Sequence, residues 1–313
     1  MSNANDDRAS LIEKAADRLR QGQPATRARP ASAAPPAPGS APGASWPPGA
    51  PPPAQPQRGP ERGPEATIDL AGLKVQGYLT PEGERSQVAE EFRIIKRPVL
   101  ENAFGRNTSL VDHGNLVMVT SAIPGEGKTF TAVNLAMSIA TEMDKTVLLI
   151  DADVGRATIH DLLKVPMGPG LIDLLTDSSL DVGDVMLRTN VPKLRVIPMG
   201  RYHPHANELV ASETMRQLTQ ELATRYPDRM VIFDAPPILA TSEAVVLAGL
   251  VGQLVFVVEA ERTLQGNVQD ALGLLDTAKP VGLVLNKSRT HSGHGYYGYG
   301  KYGYGYGNQG AAR

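Results

Sequence analysis

From about residue 116 onward, short apolar runs alternate with longer amphipathic stretches. Leu116–Ala122, Thr146–Asp151, Leu194–Met199, Met230–Asp234, Gln253–Val258 and Val281–Asn286 are nearly continuous in apolar side chains and read as buried strands. Helical stretches such as Lys128–Glu142, Asn207–Tyr226 and Thr263–Lys279 lie between several of them. Strand and helix in alternation predict an α/β fold, a mainly parallel sheet flanked by helices. Upstream, Gln87–Ala103 is a charge-rich helical stretch, expected to break near Pro98, where the ring removes a backbone donor. Near the N-terminus, Ser10–Gln21 places Leu11, Ile12, Ala15, Ala16 and Leu19 on one stripe, with Ser10 and Glu13 spaced as a capping box.

Composition divides this pattern into parts. Fourteen of the 26 prolines fall before residue 65, in a stretch with few apolar residues other than Ala. Such a segment cannot bury enough surface to offset its ordering entropy. The expected organisation is a short amphipathic helix at 1–22, a disordered Pro/Ala-rich linker at 23–66 and a helical extension at 67–108. A P-loop domain at 109–288 and a flexible Gly/Tyr-rich tail at 289–313 complete it.

Charge removes some function classes. A formal net charge of −2 argues against a nucleic-acid partner, because phosphate binding draws on a strongly basic surface. The absence of cysteine excludes disulfides and thiolate metal sites. No apolar h-region follows the polar start and no apolar run approaches 18 residues, so a soluble, cytoplasmic chain is expected.

Candidate chemistry centres on Val117–Ala136, an apolar strand, a Pro/Gly loop, then Lys-Thr opening an amphipathic helix. Gly125 and Gly127 let backbone N–H groups turn inward on phosphates, Lys128 reaches the β and γ oxygens, and Thr129 offers a hydroxyl to magnesium. The nucleotide-binding candidates are Pro124, Gly125, Glu126, Gly127, Lys128, Thr129 and Phe130. Ala122 stands where the usual loop has its first glycine. Asp151 and Asp153 end the next strand, two carboxylates pointing the same way and suited to Mg2+ and a nearby base, or to capping the following helix. Asp234 follows four apolar residues, as a magnesium-holding aspartate does, and Pro236-Pro237 stiffen the loop behind it. Asn286 ends the last strand, where the base is often contacted. A guanine reader would need Asp at position 289, which is Arg289, so ATP is favoured over GTP.

These three motifs, with six of the nine tyrosines at 296, 297, 299, 302, 304 and 306, resemble the bacterial tyrosine kinases of polysaccharide export. The likeness is to the stand-alone autokinases found beside exosortase-linked exopolysaccharide genes, over residues 67–306. Their loop reads Ala-x-x-Pro-Gly-Glu-Gly-Lys-Thr/Ser, which Ala122 through Thr129 match. The resemblance implies ATP and Mg2+ as cofactors, with Lys128, Asp151, Asp153 and Arg156 as catalytic residues. Asp153 would stand nearest the tyrosine hydroxyl. Gly155 holds the place of the family's arginine, with Arg156 one residue later. Thr129, Asp151 and Asp234 would hold the metal, and Tyr296, Tyr297, Tyr299, Tyr302, Tyr304 and Tyr306 would accept phosphate. The family's subunit-contact motif Glu-x-x-Arg-x-x-Arg is met by Glu90, Arg93 and Lys96, with Arg97 adjacent, implying a homo-oligomeric ring. Further implied are a chain-length-determinant membrane activator that recruits the chain to the inner face of the plasma membrane, a phosphotyrosine phosphatase, and a role in exopolysaccharide polymerisation or export.

The tail holds Arg289, Lys301 and Arg313 but no acid, so an aspartate-lined site should attract it. As a random coil its 25 residues reach about 28 Å, enough for transfer within or between subunits. Two other readings stand beside this one. A partition or site-selection ATPase switch would carry a signature lysine where Ile123 lies. A non-enzymatic ATP-binding regulatory subunit of an export complex has no need of intact Lys128, Asp151, Asp153 and Asp234.

Overall fold

The computed structural model describes residues 63–288, apart from positions 82, 84, 85, 107, 227 and 277. The helix expected at 10–21, the linker up to residue 62 and the tyrosine tail lie outside the described residues.

Among the described residues, eight strands form one sheet: β1 (Glu65–Ala66), β2 (Leu116–Ser121), β3 (Thr146–Asp151), β4 (Leu187–Thr189), β5 (Leu194–Ile197), β6 (Arg229–Asp234), β7 (Gln253–Glu259) and β8 (Val281–Asn286). Their order is β1-β4-β5-β3-β6-β2-β7-β8, and every pair is parallel except β4 with β5. All six predicted strands are present, within two residues at either end. In the central strands alternate residues enter opposite layers. Met118, Ile150 and Phe233 pack on one side, and Val119, Leu149 and Ile232 on the other. Both faces are buried, which is why these strands read as continuous apolar runs.

The helices are α1 (Leu70–Val75), α2 (Gln87–Phe104), α3 (Lys128–Ala140), α4 (Ile159–Leu163), α5 (Leu171–Thr176), α6 (Val182–Val185), α7 (Ala206–Val210), α8 (Glu213–Arg225), α9 (Ser242–Leu250) and α10 (Gln265–Gly273). The layer holding Val119 is covered by α1 through α4, and the other by α5 through α10. Eleven of the 13 residues of α3 are buried, so the helix that carries the phosphate loop is set into the core. Among the described residues no helix is long and apolar enough to cross a membrane.

Three expectations change. Helix α2 runs unbroken through Pro98, because Pro98 and Ile94, the residue whose carbonyl loses its donor, both lie on the solvent side, where water can take that bond. The stretch Asn207–Tyr226 is two helices, since Ser212 leaves the helical backbone and its hydroxyl accepts the Met215 N–H, starting α8 anew. Within the expected linker, Glu65–Ala66 form β1, which pairs with Arg188–Thr189 of β4. Asn190 holds the chain just beyond, accepting from Ile68 N at 2.8 Å and donating to Ile68 O at 3.2 Å.

Candidate phosphate-binding and active site

The loop between β2 and α3 occupies residues 122–127, at the carboxyl edge of a parallel sheet, where α/β folds form ligand sites. Gly125 and Gly127 sit at φ of 90° and 97°, and a Cβ on Gly127 would lie 2.0 Å from Asn286 Nδ2. Only glycine suits that position. The loop is stitched to its neighbour: Thr120 Oγ1 donates to Pro236 O at 2.7 Å, Ile238 N to Ser121 O at 2.8 Å and Leu239 N to Ala122 O at 3.2 Å. The Pro236-Pro237 segment thus braces the loop as well as stiffening its own turn.

Lys128, Asp151, Asp153 and Asp234 converge here, and all four are buried. The alignment of β3 with β6 places Asp151 directly opposite Asp234. Lys128 Nζ lies 3.7 Å from Asp153 Oδ2, and Asp153 Oδ1 accepts the Arg156 N–H at 3.2 Å. Asp151 divides its carboxylate. Its Oδ2 accepts the N–H groups of Thr158 and Ile159 at 3.2 and 3.1 Å, capping α4, while Oδ1 has no hydrogen-bond partner among the described residues. Both oxygens of Asp234 are likewise unpartnered, and the Thr129 hydroxyl leans toward that carboxylate without closing a formed hydrogen bond.

Burial sets the electrostatics. It pushes Asp234 up to about 8, reinforced by the Asp151 carboxylate. It pushes Asp151 up to about 7 against the pull of the Ile159 N–H. Asp153 is also raised by burial, with Lys128 opposing. Three unpartnered carboxylate oxygens beside a hydroxyl are a hard-oxygen donor set that suits Mg2+.

Other predicted residues fall differently. The Glu126 carboxylate turns inward, accepting Ile123 N at 2.8 Å and the Thr263 hydroxyl, so its main chain is what it can offer a ligand. The Phe130 ring packs with Tyr78 at 5.0 Å and Phe92 at 6.3 Å, leaving it too only its main chain. Pro124 is exposed on the loop, Arg156 is exposed beyond β3, and Asn286 Nδ2 donates to Glu126 O at 2.7 Å. On α2, Glu90 and Arg93 pair with each other on an exposed face, and Arg97 is exposed beside them. Lys96 leaves that surface set. It is 4% exposed, pairs with Glu142 at 2.7 Å and donates to Ser138 O at 2.7 Å. Sequence reasoning passed over Glu259 and Thr263, which approach the loop from the end of β7 and just beyond it; Lys287 joins them from just beyond β8. Lys287 directly follows the singled-out Asn286, and that adjacency was the available signal.

The family model described as AAA domain matches residues 115–279, more than half of the chain. The chain is 38% identical over 185 residues to the tyrosine-protein kinase YwqD of Bacillus subtilis strain 168, covering 58% of this chain and 76% of that protein. It is 31% identical over 189 residues to the tyrosine-protein kinase wzc of Salmonella typhimurium, covering 58% of this chain and 26% of that longer protein. Its fold is similar to the kinase domain of Escherichia coli tyrosine kinase ETK, with a TM-score of 0.56 and 26% identity over 75% of this chain and 95% of that domain.

Proposed function

The chain belongs to the bacterial tyrosine-protein kinases of the AAA-domain family, and from that premise we propose that it transfers the γ-phosphoryl group of ATP to tyrosines of its own tail, Tyr296 to Tyr306. The observation that carries this reading is the meeting of Lys128 with three buried aspartates behind a glycine loop, in a chain that also holds six clustered tyrosines.

Phosphoryl transfer asks a protein mainly for positioning and charge stabilisation. The loop N–H groups and the N-terminus of α3 receive the phosphate oxygens. Lys128 extends its ammonium over the group being transferred. Asp153, beside Lys128, receives the phenolic proton as the tyrosine oxygen attacks the γ-phosphorus and the bond to the bridging oxygen breaks, releasing ADP. Its pKa, raised by burial, brings it nearer the phenol's value of about 10, which makes it a better base for that proton. Thr129, Asp234 and the free oxygen of Asp151 would hold Mg2+, which supplies positive charge against the β and γ phosphates. By resemblance we add a ring contacting through Glu90, Arg93 and Arg97, a chain-length-determinant membrane activator, a phosphotyrosine phosphatase and a role in exopolysaccharide polymerisation or export.

Incubating the full chain with ATP and Mg2+, then blotting for phosphotyrosine and mapping it by mass spectrometry, tests the reading. Label is expected within the tail, and absent from Lys128→Ala and from a variant with all six tail tyrosines changed to Phe. Label persisting in the six-tyrosine variant would overturn the tail as substrate, and label in Lys128→Ala would overturn the site.

A further inference from the structure

The end of β8 and the residue after it grip the phosphate loop by its carbonyl oxygens. Asn286 Nδ2 donates to Glu126 O at 2.7 Å, and Lys287 Nζ donates to Gly125 O at 2.7 Å. A trans peptide is planar, so the C=O of one residue and the N–H of the next point in opposite directions. Drawing the Gly125 carbonyl toward Lys287 therefore turns the Glu126 N–H the other way. Asn286 does the same for the Gly127 N–H by holding the Glu126 carbonyl. A phosphate cradle needs such amides facing inward before the anion arrives.

The grip is itself braced. Lys287 Nζ pairs with Glu259 Oε2 at 3.0 Å, and Lys287 holds the Glu259 carboxyl below its usual range. The Glu259 N–H reaches Glu126 Oε1 at 3.4 Å, and the Thr263 hydroxyl donates to the same oxygen. The other oxygen of this fully buried carboxylate accepts Ile123 N. Lys287 adopts φ of 56°, a left-handed backbone uncommon for lysine, which the surrounding contacts must impose.

We propose that Lys287 is a positioning residue for the phosphate cradle, presetting the loop amides through the Gly125 carbonyl while Asn286 acts beside it on Glu126. The inference rests on reading the loop as the nucleotide's phosphate site. It also places the first residue of the tail, Arg289, two residues beyond a contact to the phosphate loop.

Calorimetric titration of the full chain with Mg-ATP and Mg-ADP, at high ionic strength where a bare charge effect on the anion is screened, tests it. Lys287→Met is expected to raise both dissociation constants about tenfold, the loss of roughly one charge-assisted hydrogen bond. The melting temperature of the nucleotide-free chain should stay close to that of the unaltered protein, because Lys287 is half-exposed. Lys287→Arg, which keeps the cation and its donors, should recover most of the affinity. An unchanged dissociation constant in Lys287→Met overturns the inference, as does a weakened one that appears only with a lowered nucleotide-free melting temperature. If the unaltered chain fails to bind Mg-ATP, the nucleotide reading falls and takes the inference with it. Normal binding by both proteins sinks the inference alone.

Discussion

Asp151 and Asp234 face each other across β3 and β6 without exposed surface, and burial raises both carboxyl pKa values. A carboxyl with a higher pKa folded than unfolded binds its proton more tightly in the folded state. Its proton-linked stability is therefore fully present below the unfolded value, about 4, and is lost as pH rises through the folded value. The nucleotide-free protein should lose stability up to about pH 8, where Asp234 titrates, and level off above. If Mg2+ with nucleotide binds the ionised carboxylates as proposed, adding it should reverse that slope. Asp234→Asn, which cannot ionise, is expected to stabilise the nucleotide-free chain at both pH 6 and pH 8, by about 2 kcal/mol more at pH 8, and to abolish magnesium-dependent nucleotide binding. Melting curves at both pH values, with and without Mg-ATP, check this; a gain of equal size at both pH values would remove the buried charge from the explanation. These aspartates were legible in the sequence because each ends its own strand, and Lys128 because it opens the helix that follows the glycine loop, so local order suffices. The division of Asp151 between a helix cap and a free oxygen was legible only as two competing readings, and the structure gives one oxygen to the cap.

Helix α2 packs along α3, with Phe92 against Phe130 near the phosphate loop and Lys96 at the remote end. Lys96 places a buried ammonium at the C-terminus of α3, where the helix dipole and the Ser138 carbonyl both favour a cation. Its partner Glu142 is about one-third exposed. Lys96→Met removes one of the two side-chain donors to that carbonyl, the Thr141 hydroxyl remaining, and leaves Glu142 without its cation, and is expected to cost about 2 kcal/mol of stability. Arg93→Ala should cost under about 1 kcal/mol, because Arg93 and Glu90 form a pair roughly half-exposed at each end. Chemical denaturation of the two variants separates them; equal losses would place both residues in the same kind of contact. The motif spacing in the sequence grouped Lys96 with Arg93 as surface residues. Burial of that lysine depends on a helix end 42 residues away, which spacing along α2 cannot register. Long strands and helices were legible from periodicity, whereas β1 and β4, of two and three residues, carry too few positions to show a period. The division of Asn207–Tyr226 had a local signal, Ser212 followed by Glu213, which a continuous amphipathic stripe obscured.

Across the whole molecule, the sheet order was not legible, because it depends on which strands each crossover joins, while the parallel character followed from alternation alone. That order sets β8 at the edge, next to β7, with its last residue, Asn286, against the phosphate loop. The tail carries three cations from Arg289, Lys301 and Arg313 and no acidic side chain. Each phosphate adds about −1.5 to −2 charges, so three would add about −4.5 to −6 and reverse the sign of the segment. On charge alone, an unmodified tail should be attracted to a site lined by aspartates and a phosphorylated one repelled by the same carboxylates. If the tail helps hold neighbouring subunits by entering their sites, phosphorylation should expel it and loosen the assembly. The expected outcome is a lower oligomer mass for the fully phosphorylated chain than for Lys128→Ala, measured by light scattering at one protein concentration. Raised salt should narrow the gap, because exposed charges are screened within about 10 Å at 0.1 M ionic strength. Equal masses for the two samples at low salt would rule out this electrostatic release.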